Sequence, residues 1–99
     1  MSLYLVRVEL HSANETQYST LHDRMSQHGF YRYILGDDGV IYSLPSAMYV
    51  KASTDNIITV RIDASTIAGQ VCPWISPNPE VLVVEYSVAA WSGLPMAPV

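Results

Sequence analysis

The chain has 99 residues, 49% of them hydrophobic and only 14% charged, with a formal net charge of -4. This is enough for one small core and too apolar for a disordered segment. Nine acidic residues against five basic ones, with Lys51 the sole lysine, exclude a basic patch built to track a nucleic-acid backbone without regard to sequence.

Residues 3–11 alternate. Tyr4, Val6, Val8 and Leu10 point one way, and Leu3, Leu5, Arg7, Glu9 and His11 the other. A period of two with one apolar side predicts a half-buried strand. Residues 12–29 predict a helix. Ser12 and Glu15 fit a capping box, Asn14 offers an alternative cap, Tyr18, Leu21 and Met25 form the inner stripe, and Gly29 suits the left-handed stop. Aromatic and β-branched residues at 30–35 predict a second strand. Gly36-Asp37-Asp38-Gly39 is a turn, and residues 40–44 return as the third strand of a hairpin. Pro45 interrupts that strand, which resumes at 47–52.

Residues 53–71 carry two periods. Ile57, Val60, Ala64, Ile67, Ala68 and Val71 make a helical stripe, while Ile58, Val60, Ile62 and Ala64 alternate. Length favours a helix, capped by Ser53, Thr54 or Asp55. Pro73, Pro77 and Pro79 mark a loop, and Val81–Val88 reads as the last strand. Residues 1–88 form the domain and 89–99 a tail that Trp91 could anchor.

The order β-α-β-β-α-β is that of a ferredoxin-like α+β domain, with a four-stranded antiparallel sheet and both helices on one face. The other face is then open. It is expected to hold Arg7, Glu9 and His11 near Val83 and Glu85, with Leu3, Leu5, Val81 and Val83 as exposed apolar positions.

Two segments, Val6-Arg7-Val8-Glu9-Leu10-His11-Ser12-Ala13 and Gly29-Phe30 through Asp37 to Tyr49, resemble a small bacterial family. It is that of the GhoS endoribonuclease antitoxin of type V toxin–antitoxin systems. Trp91-Ser92-Gly93-Leu94 is similar to how many such chains finish. The resemblance covers the first half and this short stretch. It implies a ferredoxin-like domain related to CRISPR adaptation nucleases and an antitoxin that cleaves the toxin's messenger RNA. Where the CRISPR relatives place a metal-binding aspartate, at the end of the first strand, this sequence has Glu9 and His11.

The residues themselves offer several constellations. Glu9 and His11, two apart on one strand face, are the candidate catalytic pair, able to share a proton or a metal. Arg7 could hold a phosphate, and Arg32 with Tyr33 could add RNA contacts through charge and base stacking. The plainer reading is a solvated polar cluster on a strand. The same choice holds for Tyr31, Tyr42 and Tyr49: stacking platform, or core and dimer contact. His22 and His28, six apart, do not share a helix face, so a joint metal role is not expected. Asp37 and Asp38 suit a turn better than Mg²⁺. Cys72 has no partner for a disulfide or a thiolate metal site and reads as an inert thiol in a reduced setting. Trp74 and Trp91 read as anchors or interface residues.

No metal site is indicated, and the sequence leaves the cofactor open. RNA or a second copy of the chain are the expected partners, through the open face or an edge strand. No leader opens the sequence and no apolar run reaches membrane-spanning length, so a cytoplasmic protein without membrane or DNA partners is expected. Two functions follow: a GhoS-like, RNA-directed endoribonuclease, or a non-enzymatic module that dimerises.

Overall fold

The structure, a computed structural model, describes residues 1–11, 13–72 and 79–98. The elements are β1 (Ser2–Glu9), α1 (Glu15–Gln27), β2 (Tyr33–Leu35), β3 (Ile41–Ser43), β4 (Met48–Ser53), α2 (Ile57–Val71) and β5 (Glu80–Tyr86). They form an α+β domain with a three-stranded antiparallel sheet in the order β4-β1-β5 and a separate two-stranded sheet, β2-β3.

Alternation in β1 works as its sequence implies. Tyr4, Val6 and Val8 are buried, and Leu10 continues the same side beyond the strand. They join Leu21 and Met25 of α1, Phe30, Tyr49 of β4, and Val60, Ala64, Ile67 and Ala68 of α2 in one core. Both helices therefore cover the same side of the sheet. Burying a side chain of this size contributes about 1.5–3 kcal/mol.

Local signals explain where the helices begin. The capping box of α1 is built by Asn14 and Gln17 rather than by Ser12 and Glu15. The Asn14 Oδ1 accepts from the Gln17 N–H at 2.9 Å, and the Gln17 side chain accepts from the Asn14 N–H at 2.8 Å. Ser12 itself lies outside the described residues, as do Pro73, Trp74 and Pro77. Gly29 takes a positive φ of 82° one residue past the cap of α1, the conformation that spares a glycine the Cβ clash. Lys51 reaches that helix end from β4. Its Nζ donates to the His28 carbonyl at 2.9 Å and sits 4.4 Å from the centre of the Phe30 ring.

Residues 57–71 are helical, so the 3.6-residue stripe wins over the alternation. The cap is Asn56, whose Oδ1 accepts from the Thr59 N–H at 2.9 Å, and not Ser53, Thr54 or Asp55. Ser53 Oγ instead accepts from the Asp55 N–H, and the Tyr4 hydroxyl donates to the Asp55 carbonyl, which ties this turn to the sheet.

The continuous four-stranded sheet expected from the sequence is not what forms. Strand pairing breaks at Pro45–Ala47, where Ala47 adopts a φ of 66° and its carbonyl accepts from Val8 N–H. The short hairpin β2-β3 precedes the break, and the residues after it, as β4, are the ones that pair with β1. Tyr31 joins the two sheets by a pair of backbone bonds with Val50, at 2.9 and 2.7 Å.

Beyond β5 the chain crosses to the hairpin. Trp91 packs edge-on against Tyr42 with ring centres 5.6 Å apart. The Pro95 carbonyl accepts from Ser43 N–H, and Ala97 N–H donates to the Ile41 carbonyl, so the tail extends the edge of β3. Gly36 permits this docking, because a Cβ there would come within 3.0 Å of the Tyr42 ring and 3.4 Å of Trp91.

Candidate functional site: the open sheet face

Register decides which side chains share the face away from the helices. Arg7 lies between Met48 and Leu82, Leu5 between Val50 and Val84, and Leu3 between Ala52 and Tyr86. Leu82 and Val84 are 63% and 41% exposed and Leu3 38%, so large apolar side chains reach water across a three-strand surface. Among the described residues nothing covers them.

This corrects the expected neighbourhood. Val83 pairs with Val6 and Val81 with Val8, on the helix side, where both pack against the core. Glu85 pairs with Tyr4 on that same side. Thus Arg7 and Glu9 face Leu82 and Glu80 instead of Val83 and Glu85. A shift of one residue in a strand reverses every side chain, and the sequence alone does not set that register.

Polar groups gather at one end of the face. Arg7 Nη2 lies 3.4 Å from the Glu9 carboxylate, both side chains well exposed. Glu9 and Glu80 are direct cross-strand partners, a like-charge pairing that costs stability. His11 falls in the turn after β1, and its Nε2 is 3.4 Å from the Glu80 carboxylate. The structure therefore pairs His11 with Glu80 and Glu9 with Arg7. Among the described residues no group of three or more His, Cys, Asp or Glu side chains is placed to hold a metal ion.

The remaining sequence-predicted residues divide. Tyr33 is exposed and borders a groove at the far end of the open face, together with Leu3, Val50 and Tyr86. Arg32 turns the other way, beside His22 and Tyr49. Its charge bears on both groups, and its Nε is buried without a hydrogen-bond partner among the described residues. Arg32 and Arg7 thus serve opposite sides of the molecule.

The cluster around Tyr49 was hidden in the sequence. The Tyr49 hydroxyl lies 2.6 Å from Nδ1 of His22, and the Tyr18 and His22 rings sit 6.3 Å apart. Burial holds the Tyr49 phenol protonated, and the tautomer of His22 sets which of the two groups donates. Burial, then the nearby Arg32 charge, lower the His22 pKa below its usual 6.5, with Asp23 opposing. The Tyr18 hydroxyl meanwhile bonds Leu10, to its N–H at 3.0 Å and its carbonyl at 3.1 Å. These bonds fix the end of β1 against α1 and bury the polar atoms of the core boundary. The helical i, i+4 spacing of Tyr18 and His22 brings those two rings together, but nothing in the sequence brings Tyr49 to them.

A pH dependence follows from the sign of the His22 shift. In the unfolded chain its imidazole binds a proton near pH 6.5, and in the folded protein only at lower pH. The folded state therefore loses stability as pH falls below 6.5 toward the folded value, and keeps its full stability above. Thermal melts between about pH 7.5 and 5.5 are expected to show a fall that His22→Gln reduces. An equal fall in both proteins would assign the effect to other groups.

Cys72 caps α2 through its N–H to the Ala68 carbonyl and is fully buried, with burial raising its thiol pKa. This placement gives no access for thiol chemistry. Among the described residues no helix is long and apolar enough to cross a membrane.

Comparisons with protein-family models, curated proteins and solved structures gave no match.

Proposed function

We propose that the protein is an association module that dimerises with a second copy through the open face of β4, β1 and β5. The observation that carries this reading is the band formed by Leu3, Leu5, Val50, Leu82 and Val84 on a face opposite both helices. A chain this poor in charge has few other groups to spend on solubility, and apolar patches of this kind mark interfaces.

Charge placement favours a second copy as the occupant. Arg7, Glu9 and Glu80 all lie at one end of the face. Two copies stacked with strands running oppositely overlap their apolar rows and keep the charged ends apart. Stacking with strands running the same way would set Arg7 over Arg7 and Glu9 over Glu9. Such a two-fold contact is self-complementary, with the sheets crossing at about 30°. Sedimentation equilibrium tests it: a concentration-dependent rise to twice the monomer mass is expected, and a monomer at every concentration rejects it.

We read the fold itself as a ferredoxin-like arrangement whose second strand is split. The Tyr31–Val50 bridge places the start of the hairpin beside β4, where a continuous second strand would run.

A second reading, the GhoS-like endoribonuclease, is supported by Arg7 and Glu9 lying together on the open face and by His11 meeting Glu80 at its end. Cleavage of labelled single-stranded RNA that is lost in both Glu9→Gln and His11→Ala would favour it. Intact RNA, or cleavage unchanged in both variants, would remove it.

A further inference from the structure

The far end of the open face, away from Arg7 and Glu9, opens into a groove of about 880 Å³ between the sheet, the hairpin and the crossing tail. Aromatic rings line it from three separate elements: Tyr33 and Tyr42 from the hairpin, Tyr86 from the end of β5, and Trp91 from the tail. Among the described residues its ionisable lining groups apart from the tyrosines are Asp37 and Asp38, with no lysine, arginine or histidine.

The two carboxylates differ in what holds them. Asp38 is fixed by the turn, accepting from the Val40 N–H at 3.0 Å and from the Tyr42 hydroxyl at 2.7 Å. Those bonds, the Tyr42 bond foremost, keep it ionised by lowering its pKa. Asp37 makes no such bond among the described residues and is exposed. One carboxylate is thus held by the turn, and the other stands exposed at an aromatic wall. Gly36 keeps that wall tight, since Asp38, Tyr42 and Trp91 all close on the space a Cβ would fill.

We infer that this groove binds a small organic cation, an ammonium group on an apolar stem, with Asp37 facing the charge and the aromatic side chains taking the stem. Aromatic rings attract cations through their quadrupole and apolar stems through burial, whereas an anion would meet two carboxylates and no base. The same charge balance turns phosphate away. The groove shares Leu3 and Val50 with the apolar band, but Asp37 and the rings of Tyr33, Tyr42 and Trp91 lie outside it, so amine binding and dimerisation fail separately.

Phenethylamine, 2-phenylethanol and hydrocinnamate present the same ring with positive, neutral and negative ends. Titrated into ¹⁵N-labelled full-length protein, the amine is expected to shift the Gly36 and Gly39 amides and the Trp91 indole N–H. It should bind more tightly than the alcohol, and the carboxylate more weakly. Asp37→Asn is expected to weaken the amine about three-fold and leave the alcohol unchanged, with the circular dichroism spectrum preserved. Equal binding of all three probes, shifts that map away from the groove, or an unaltered amine affinity in Asp37→Asn would each overturn the assignment. Because Asp37 is not one of the turn's hydrogen-bonding groups, loss of fold does not confuse the result.

Discussion

Leu82→Asp is expected to hold the protein as a monomer at concentrations where the native chain is a dimer. The side chain stands at 63% exposure beside Arg7 on the outer strand of the open face. In the dimer it meets the apolar row of the other copy. Burying a carboxylate there costs several kcal/mol, because Arg7 beside it already faces the Glu9 carboxylate at 3.4 Å and both charges would have to leave water. A loss of about 3 kcal/mol corresponds to a weakening of roughly a hundred-fold. The folded monomer, by contrast, gains only an exposed polar group, so its secondary structure should not change. Leu82→Ala is the companion variant, removing buried area without adding charge, and should weaken the dimer far less. Sedimentation at matched concentrations distinguishes the three proteins. Identical masses for the native and Leu82→Asp chains would place any contact elsewhere.

Leu21→Ala is expected to have the largest effect on stability. Leu21 is fully buried on the inner face of α1, within the core that the sheet and both helices share. Truncation removes its transfer energy and leaves a cavity, for a loss of about 2–5 kcal/mol. That is a large part of the stability of a domain of this size, and it should lower the melting temperature by at least about 10 °C. Leu3→Ala on the open face provides the comparison. The same chemistry at a 38% exposed position should cost under about 1 kcal/mol. Urea denaturation of the monomer at low concentration measures both. A small loss at Leu21 would mean that α1 is not held by this packing.

The two substitutions also mark what could be read in advance. β1 was legible because its alternation runs through Tyr4, Val6, Val8 and Leu10 without a break, and a strand with one apolar side has one way to lie on a core. α2 was legible by length, although Ile58 and Ile62 on its exposed side imitate a strand. The hairpin and β4 were misjoined because nothing local shows that Pro45–Ala47 separates two sheets. Ala47 takes its left-handed conformation to serve a bond from Val8, a contact far away in sequence. The open face was legible as a face but not in membership. Alternation puts Leu82, Val84 and Tyr86 on one side of β5 and Val83 on the other, yet only the β1–β5 register turns the first three outward and Val83 inward. His22 of α1, Arg32 just before β2 and Tyr49 of β4 come from three separate segments, so no spacing in the sequence could assemble them.

Strand order has a consequence for biosynthesis. β1, translated first, ends in the middle of its sheet, with both neighbours drawn from far later in the chain. During synthesis it must wait, unpaired on either side, until β4 and then β5 have left the ribosome. For that interval it is a strongly apolar ribbon able to stick to other nascent chains. Arg7 and Glu9 interrupt the ribbon near its end with opposite charges, and so act as gatekeepers against aggregation before any finished surface exists.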